Sequence, residues 1–338
     1  MKKSLKVAIA ASVLATPAMA ATNMENPLYL PSAGEIYSKT SAGMMYKRTD
    51  ETAALRAKDH ANANEFPIWR FNEDIGYGIT DRLAVHGSFG YTKAGDIDRK
   101  GMHQGRVGMT YRMFDQMGAV WDVYADAHLG GIGKMKGSYT ATGFNYDNYS
   151  NGRWGFHVGT KMGNTWGNLT AAMFAEVLQT FGNDNNEIDV TALRANPAFM
   201  ALPDTIAVDL KSTTEFNAGL KTMYQIDTKW SVGGSFTFKH HANNGVQSVS
   251  TDLPIGMPPS GVPQAAIDQL LAQLADMQDG FDEYIIGVSG AYQMSENTQV
   301  VLYGEYTLDT AQPQSQNGSD AKAAGAYTHL TLPTKRIG

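Results

Sequence analysis

His86 and Ser88 stand two residues apart, the spacing at which a strand presents two side chains on one face. A histidine base beside a serine hydroxyl is the minimum for nucleophilic hydrolysis. That chemistry also needs a third group to orient the imidazole, and the sequence points to none. Two oxygen-rich stretches could hold calcium, Asp96 with Asp98 and the run Asn183-Asp184-Asn185-Asn186-Glu187. Neither continues into a full calcium loop with its distal glutamate, so solvated loop polarity accounts for both. His240 and His241 are adjacent, which on a strand sends them to opposite faces and prevents a shared metal. The absence of cysteine excludes thiolate metal sites and disulfides. No catalytic residue, cofactor or metal is implied, and the chemistry that remains is that of charges arrayed along strands.

Those strands are marked by alternation of apolar and polar side chains, the period-2 signature of a segment with two unlike faces. Twelve such segments are expected, at roughly 35–47, 66–77, 83–92, 104–113, 119–129, 152–162, 167–180, 212–225, 229–239, 282–294, 297–309 and 322–332. One face gathers Leu83, Val85, Phe89 and Tyr91; Trp121, Val123, Ala125, Ala127 and Leu129; Trp154, Phe156 and Val158; Trp230, Val232, Phe236 and Phe238; and Tyr284, Ile286, Val288 and Tyr292. The other face gathers Arg70, Asp74, Arg106, Arg112, Asp122, Asp126, Arg153, His157, Lys161, Glu215, Lys221, Lys239 and Glu305. Glu73 is the awkward residue, since parity groups it with Phe71, Ile75 and Tyr77. A bulge, a contact with a neighbouring chain or a different register would relieve it.

The connections alternate in length. Short turns fall at Thr80-Asp81-Arg82, Phe114 to Gly118, Gly163 to Trp166, Asp227-Thr228 and Ser295-Glu296, and related heptads beginning at Tyr77, Tyr111, Thr160, Tyr224 and Tyr292 lead into them. Long connections lie at 48–65, 93–103, 130–151, 181–211, 240–281 and 310–321. The pattern predicts an all-β fold, an up-and-down antiparallel transmembrane β-barrel of about twelve strands with short periplasmic turns and long outer loops. The first set of residues above then faces lipid and the charged set lines the lumen. Tyr77, Tyr111, Trp166, Tyr224, Trp230 and Tyr292 are candidates for a periplasmic aromatic girdle. A soluble sandwich would also alternate, but nothing in it calls for aromatics beside every second connection.

Residues 1–20 have the form of a cleaved signal peptide: Lys2, Lys3 and Lys6, the apolar run Val7 to Leu14, and Ala18-Met19-Ala20. Residues 21–34 then form a periplasmic segment ahead of a barrel spanning 35–332. Without the leader lysines, Lys+Arg falls from 27 to 24 against 33 acids, a formal charge of −9 that makes nucleic acid a poor partner. Among the long loops, Ile267, Leu270, Leu271, Leu274 and Met277 form one apolar stripe of a short helix within 263–279. Leu193, Phe199, Met200, Leu202, Ile206 and Val208 make the preceding loop apolar as well. Such surfaces pack on each other, constrict the mouth or receive an apolar ligand.

The opening Asn26-Pro27-Leu28-Tyr29-Leu30-Pro31 with Gly34-Glu35, and hairpins in the style of YGITDRLAVHGSFGY, resemble those of Gram-negative outer-membrane β-barrels of the porin-like superfamily. The resemblance covers nearly the whole mature chain in pattern. Some of these barrels are grouped with exporters or uptake channels for aromatic and hydrophobic compounds. It implies outer-membrane lipid, lipopolysaccharide and the insertion machinery as partners, and small molecules as solutes. Those barrels usually end on an aromatic residue, whereas this chain ends Lys335-Arg336-Ile337-Gly338. Tyr327 to Thr334, YTHLTLPT, resembles an in-frame translation of a transposase sequencing adapter, which makes 327–338 a candidate non-native tail and the last strand a truncated one. Codons other than the adapter's across this stretch would remove that idea.

Three functions are open at this level. One is a passive channel or uptake porin, with loops at 181–211 and 240–281 narrowing its entrance. Another is a non-conducting surface barrel that binds a partner or lipopolysaccharide through its loops. The third is an outer-membrane lipid-modifying enzyme using His86 and Ser88, as a twelve-stranded membrane lipase does with a His and Ser that face lipid.

Overall fold

In the computed structural model of the chain, the described residues are 25–47, 68–93, 100–102, 105–130, 136–140, 143–146, 152–189, 191, 204–210, 212–243, 246–250, 279–295, 298–311 and 322–330. The alternating segments become long strands: β1 (Ile36–Lys47), β2 (Ile68–Thr80), β3 (Leu83–Lys93), β4 (Gly105–Gln116), β5 (Ala119–Leu129), β6 (Gly155–Trp166), β7 (Leu169–Thr180), β8 (Thr213–Gln225), β9 (Trp230–Asn243), β10 (Asp279–Ser295), β11 (Thr298–Ala311) and β12 (Lys322–Leu330). Each pairs antiparallel with the next. β12 returns to β1, with Ser38 opposite Leu330 and Ala42 opposite Ala326, so the ring closes and no edge is left. The short strand Lys100–Met102 pairs with the end of β3 and runs ahead of β4. Tyr327 to Leu330 lie within β12, and 331–338 fall outside the described residues.

Two turns are tighter than alternation suggested. β4 continues to Gln116, and the turn is only Met117-Gly118, both left-handed at φ 54° and 80°, the conformation a two-residue hairpin needs. A Cβ on Gly118 would also lie 2.6 Å from Asn164 Oδ1. The alternation breaks early because the ladder bulges between Arg112 and Phe114, which inserts Met113 and brings Phe114 opposite Trp121. Likewise β6 runs on to Trp166 and turns at Gly167-Asn168, not at Gly163 to Trp166.

The long connections are not all irregular. Lys136–Thr140, Gly143–Tyr146, Asn183–Asp189, Thr205–Leu210 and Val246–Ser250 form a second, five-stranded sheet on the side opposite the tight turns. This corrects the expectation of plain loops at 130–151, 181–211 and 240–281. Thr205-Ile206-Ala207-Val208-Asp209 carries its own period-2 alternation of β-branched residues, so Ile206 and Val208 belong to a strand and not to a loop stripe. Asn183 to Glu187, weighed above for calcium, lie in its partner strand. The helix within 263–279, with Ile267, Leu270, Leu271 and Leu274, falls outside the described residues, as do Phe199, Asp96 and Asp98.

The outside of the ring is apolar. Phe71, Ile75, Phe89, Val107, Met109, Phe156, Leu220, Phe236, Val288 and Leu302 are all exposed, a band that only a bilayer covers without penalty. Near the tight turns the outer face becomes aromatic: Tyr77, Tyr111, Trp166 and Tyr224 are exposed there, and Trp230 lies over Tyr292 with ring centroids 4.6 Å apart. Among the described residues no helix is long and apolar enough to cross a membrane; the crossing is made by strands.

Glu73 faces outward midway along β2 with neither bulge nor altered register, since β1 and β2 pair without interruption from Ile36↔Tyr77 to Met45↔Ile68. Its carboxylate is instead held by β1, where the Ser38 hydroxyl donates to one oxygen and the Thr40 hydroxyl donates to the other at 2.6 Å. These two hydroxyls replace the water that a carboxylate loses at a lipid face. Replacing both, Ser38→Ala with Thr40→Ala, should therefore destabilise the bilayer-embedded barrel by about 2–3 kcal/mol, since hydrogen bonds to charged groups are the strong ones. Urea titration in liposomes would test this, and an unchanged midpoint would show that the pair carries no load.

Candidate functional site

The inner face is built by the residues of opposite parity, and cross-strand register decides which of them meet. Arg112 on β4 lies opposite Asp122 on β5, and Asp122 opposite Lys161 on β6. Arg112 donates from Nε to Asp122 Oδ1 at 2.8 Å and from Nη2 to Oδ2 at 3.2 Å, while Lys161 Nζ approaches Oδ2 at 3.5 Å. Asp122 is 0% exposed, so one buried carboxylate serves two cations; Arg112 also reaches Asp115 at 3.2 Å near the turn.

A second chain of groups lies further from the turns. Asp126 on β5 holds His86 Nε2 at 2.5 Å through one oxygen and His157 Nδ1 at 2.7 Å through the other. The other ring nitrogen of His157 faces Glu176 on β7 at 3.2 Å, and Glu176 also accepts from the Tyr124 hydroxyl at 2.7 Å and Asn217 Nδ2 at 3.1 Å. With both nitrogens on carboxylates, His157 is fully satisfied only as a doubly protonated ring. Asp126 is thus the orienting carboxylate that the sequence left unidentified for His86. Ser88 does not complete a triad: its hydroxyl accepts from Arg106 Nε at 2.9 Å, and both residues lie on the inner face, away from lipid.

Arg106 also nears Asp74 at 3.8 Å across β2, β3 and β4. At the far end Glu215 meets Lys239 at 3.8 Å and His241 at 3.2 Å, and His241 meets Glu283 at 3.5 Å, whereas His240 turns outward to Asp282 at 2.6 Å. Arg70 sits opposite Gly43 near that end and is exposed. Arg153 precedes β6, which begins at Gly155, so it belongs to the outer rim and not to a strand wall; it donates from Nε to the carbonyl of Phe181 at 3.0 Å. Among the described residues no group of three or more metal-ligating side chains is placed to hold an ion.

Residues 25–35, read above as part of a periplasmic segment, run into the lower lumen. Leu28 is only 5% exposed and packs with Val120 of β5 and Ala172 of β7. Its carbonyl accepts from Arg112 Nη2 at 2.6 Å, so the guanidinium that grips Asp122 also grips the segment. Asn26 caps the turn by accepting from the Leu28 amide at 2.8 Å. Tyr29 stacks edge-on against Tyr37 of β1 and donates to Glu35 at 3.1 Å; burial, then the Glu35 charge, raise its phenol well above the usual range and keep it a neutral donor. Gly34 donates to the carbonyl of Gly78 at 2.7 Å, and Gly78 donates to the carbonyl of Glu35 at 2.9 Å. The segment passes so close that a Cβ on Gly78 would collide with the Ser32 carbonyl.

Above the segment lies a cavity of about 470 Å³, walled by Lys39, Lys161, Lys221, Phe174, Tyr303 and Glu305 among others, with Glu25, Asn26, Pro27 and Tyr29 as its floor. The wall from β9 to β11 leaves this space because its inward residues, Ser235, Gly287 and Ser289, are small. A closed strand ring, an apolar belt and a charged interior meet here. The fold is that of an outer-membrane β-barrel.

One solved structure bears this out. An outer membrane channel from Pseudomonas putida F1 aligns over 92% of this chain and 99% of its own with a TM-score of 0.54 at 11% identity. The Ralstonia pickettii toluene transporter TbuX aligns over 92% and 93% with a TM-score of 0.41 at 10% identity. The NanC porin aligns over 88% and 100% with a TM-score of 0.41 at 8% identity. At such identities the likeness is one of fold. The sequence matches no described protein family and no curated protein.

Several lumen residues of the barrel went unmarked by alternation. Glu176 sits on β7, where Leu169, Ala171, Met173, Ala175 and Val177 alternate with Ala172, Phe174 and Leu178, so both faces read as apolar. Lys39 sits on β1, whose outward residues Ser38 and Thr40 are themselves polar and blur the contrast. The inserted segment shows no alternation, but two prolines around Leu28-Tyr29-Leu30 mark a stiff apolar run, a signal that it packs against something.

Proposed function

We propose that the protein is a passive outer-membrane channel for small polar solutes, inserted by the outer-membrane assembly machinery and surrounded by lipid and lipopolysaccharide. The observation that carries this is the cavity inside a closed ring, walled by charges of both signs and narrowed from below by residues 25–31. Charged and hydroxyl walls strip an apolar solute of nothing it needs but lose their own water to it, so a purely apolar passenger is disfavoured. Lysines on the wall set ion preference. Lys221→Glu should move the permeability ratio of potassium over chloride upward by about two- to threefold, read as a reversal potential across a salt gradient in planar bilayers. A bilayer that stays electrically tight around the folded protein would remove the channel.

A second reading is favoured by the ion-paired wall of β3 to β7 together with the inserted segment: a non-conducting barrel whose outer sheet meets a partner. It predicts no conductance even after the segment is removed.

A further inference from the structure

Most charges that face the cavity are already committed. Lys161 is held by Asp122, Glu176 by His157, Tyr124 and Asn217, and Lys39 is attracted by the charges of Glu25 and Asp74. Two are not. Among the described residues, Lys221 has the ring of Phe174, 5.2 Å from its ammonium to the centroid, and the like charges of Lys39 and Lys161, but no acid pairs with it, and Glu305 has neither ion pair nor hydrogen bond. Both line the cavity and both are exposed to it.

Register puts these two at one level. Lys221 lies opposite Ser235, Ser235 opposite Gly287, and Gly287 opposite Glu305, a single row across β8, β9, β10 and β11. Three interstrand steps set their backbones about 14 Å apart along the wall. Between them the wall is low and polar: Gly287 has no side chain, the Ser235 hydroxyl fills the place its Cβ would take, and Glu305 Cγ stands 3.5 Å from that point. Glu305 lies beside Gly287, and the Lys221 ammonium lies over the Phe174 ring. An uncommitted ammonium and an uncommitted carboxylate therefore flank a small polar floor without touching.

We propose that this row is a binding site for a small zwitterion of the aromatic amino-acid class, a proposal that rests on the channel reading for the route by which the solute arrives. Lys221 receives the solute's carboxylate and Glu305 its ammonium, with Ser235 between them and Phe174 and Tyr303 beside the apolar body. An anion would leave Glu305 facing like charge, and a cation would do the same to Lys221. Only a solute carrying both signs answers both walls, and an amino acid with an aromatic side chain fits within about 470 Å³.

Calorimetry on the detergent-solubilised full chain would test this with three probes of one shape: phenylalanine, 3-phenylpropionate and phenethylamine. Phenylalanine should bind at least about tenfold tighter than either singly charged analogue. Lys221→Gln should erase its advantage over phenethylamine, and Glu305→Gln its advantage over 3-phenylpropionate, while both variants keep wild-type heat-modifiable migration. No binding of phenylalanine, or equal binding of all three probes, would overturn the site. Conductance of the same sample separates the two ideas: a conducting barrel that ignores phenylalanine removes the site and keeps the channel, and binding without conductance supports the site and removes the channel.

Discussion

Deletion of residues 25–31 should raise single-channel conductance about threefold or more, because the segment occupies the lower lumen. Leu28 is buried against Val120 and Ala172, and Glu25 to Tyr29 form the floor of the cavity. Their removal returns that cross-section to water, and the hydrogen bonds between Gly34, Glu35 and Gly78 still anchor the start of β1. The deletion leaves every strand pair intact, so the barrel should fold and the change should be confined to the pore. Planar bilayer recordings would show it as a larger unit step. Equal steps from both forms would mean that the segment does not limit passage.

The second large effect is expected at Asp122. Its carboxylate is fully buried, accepts two hydrogen bonds from Arg112 and lies 3.5 Å from Lys161. Asp122→Ala leaves Lys161 beside Arg112 without their shared carboxylate, and Arg112 keeps only the exposed Asp115, which should cost about 3–5 kcal/mol, the range for removing one partner of a buried ionic cluster. Asp122→Asn keeps the shape and one acceptor and should cost less. Urea unfolding of liposome-embedded protein would separate the three forms; a loss below about 1 kcal/mol for Asp122→Ala would show that lumen water screens the cations. Because Arg112 also holds the Leu28 carbonyl at 2.6 Å, the same substitution should loosen the inserted segment and raise conductance toward that of the deletion. The two effects share one guanidinium, so they should not add.

Alternation located the strands well because it is a local property: successive side chains leave a strand on opposite sides whatever surrounds it. Where both sides of a strand were apolar, as on β7, or both polar, as on β1, the contrast vanished and Glu176 and Lys39 went unmarked. Where the ladder bulges, at Met113, the period slips and alternation ends before the strand does. The outer sheet was missed for a different reason. Its strands are short, and apart from the local pair of Lys136–Thr140 with Gly143–Tyr146 their partners lie far along the chain, as Thr205–Leu210 does from Val246–Ser250 and Lys136–Thr140 from Asn183–Asp189.

Glu73 shows the division most directly. Its outward direction is legible from parity, which taken alone calls for a bulge, a neighbouring chain or another register. What resolves it is Ser38 and Thr40, which are 35 and 33 residues away and reach it only through the β1–β2 register. The same holds for the lumen: its charges could be assigned to one face from the sequence, but not their partners. His86 found Asp126 at a separation of 40 residues, and Arg112 found Leu28 at a separation of 84. By itself the sequence determined the strands, their two faces and the end at which they turn, since backbone pleat and turn chemistry act over a few residues. Only the closed ring decided which charges neutralise one another, which pair is left open across the cavity, and that the segment before β1 lies inside the barrel, because those contacts follow from interstrand register.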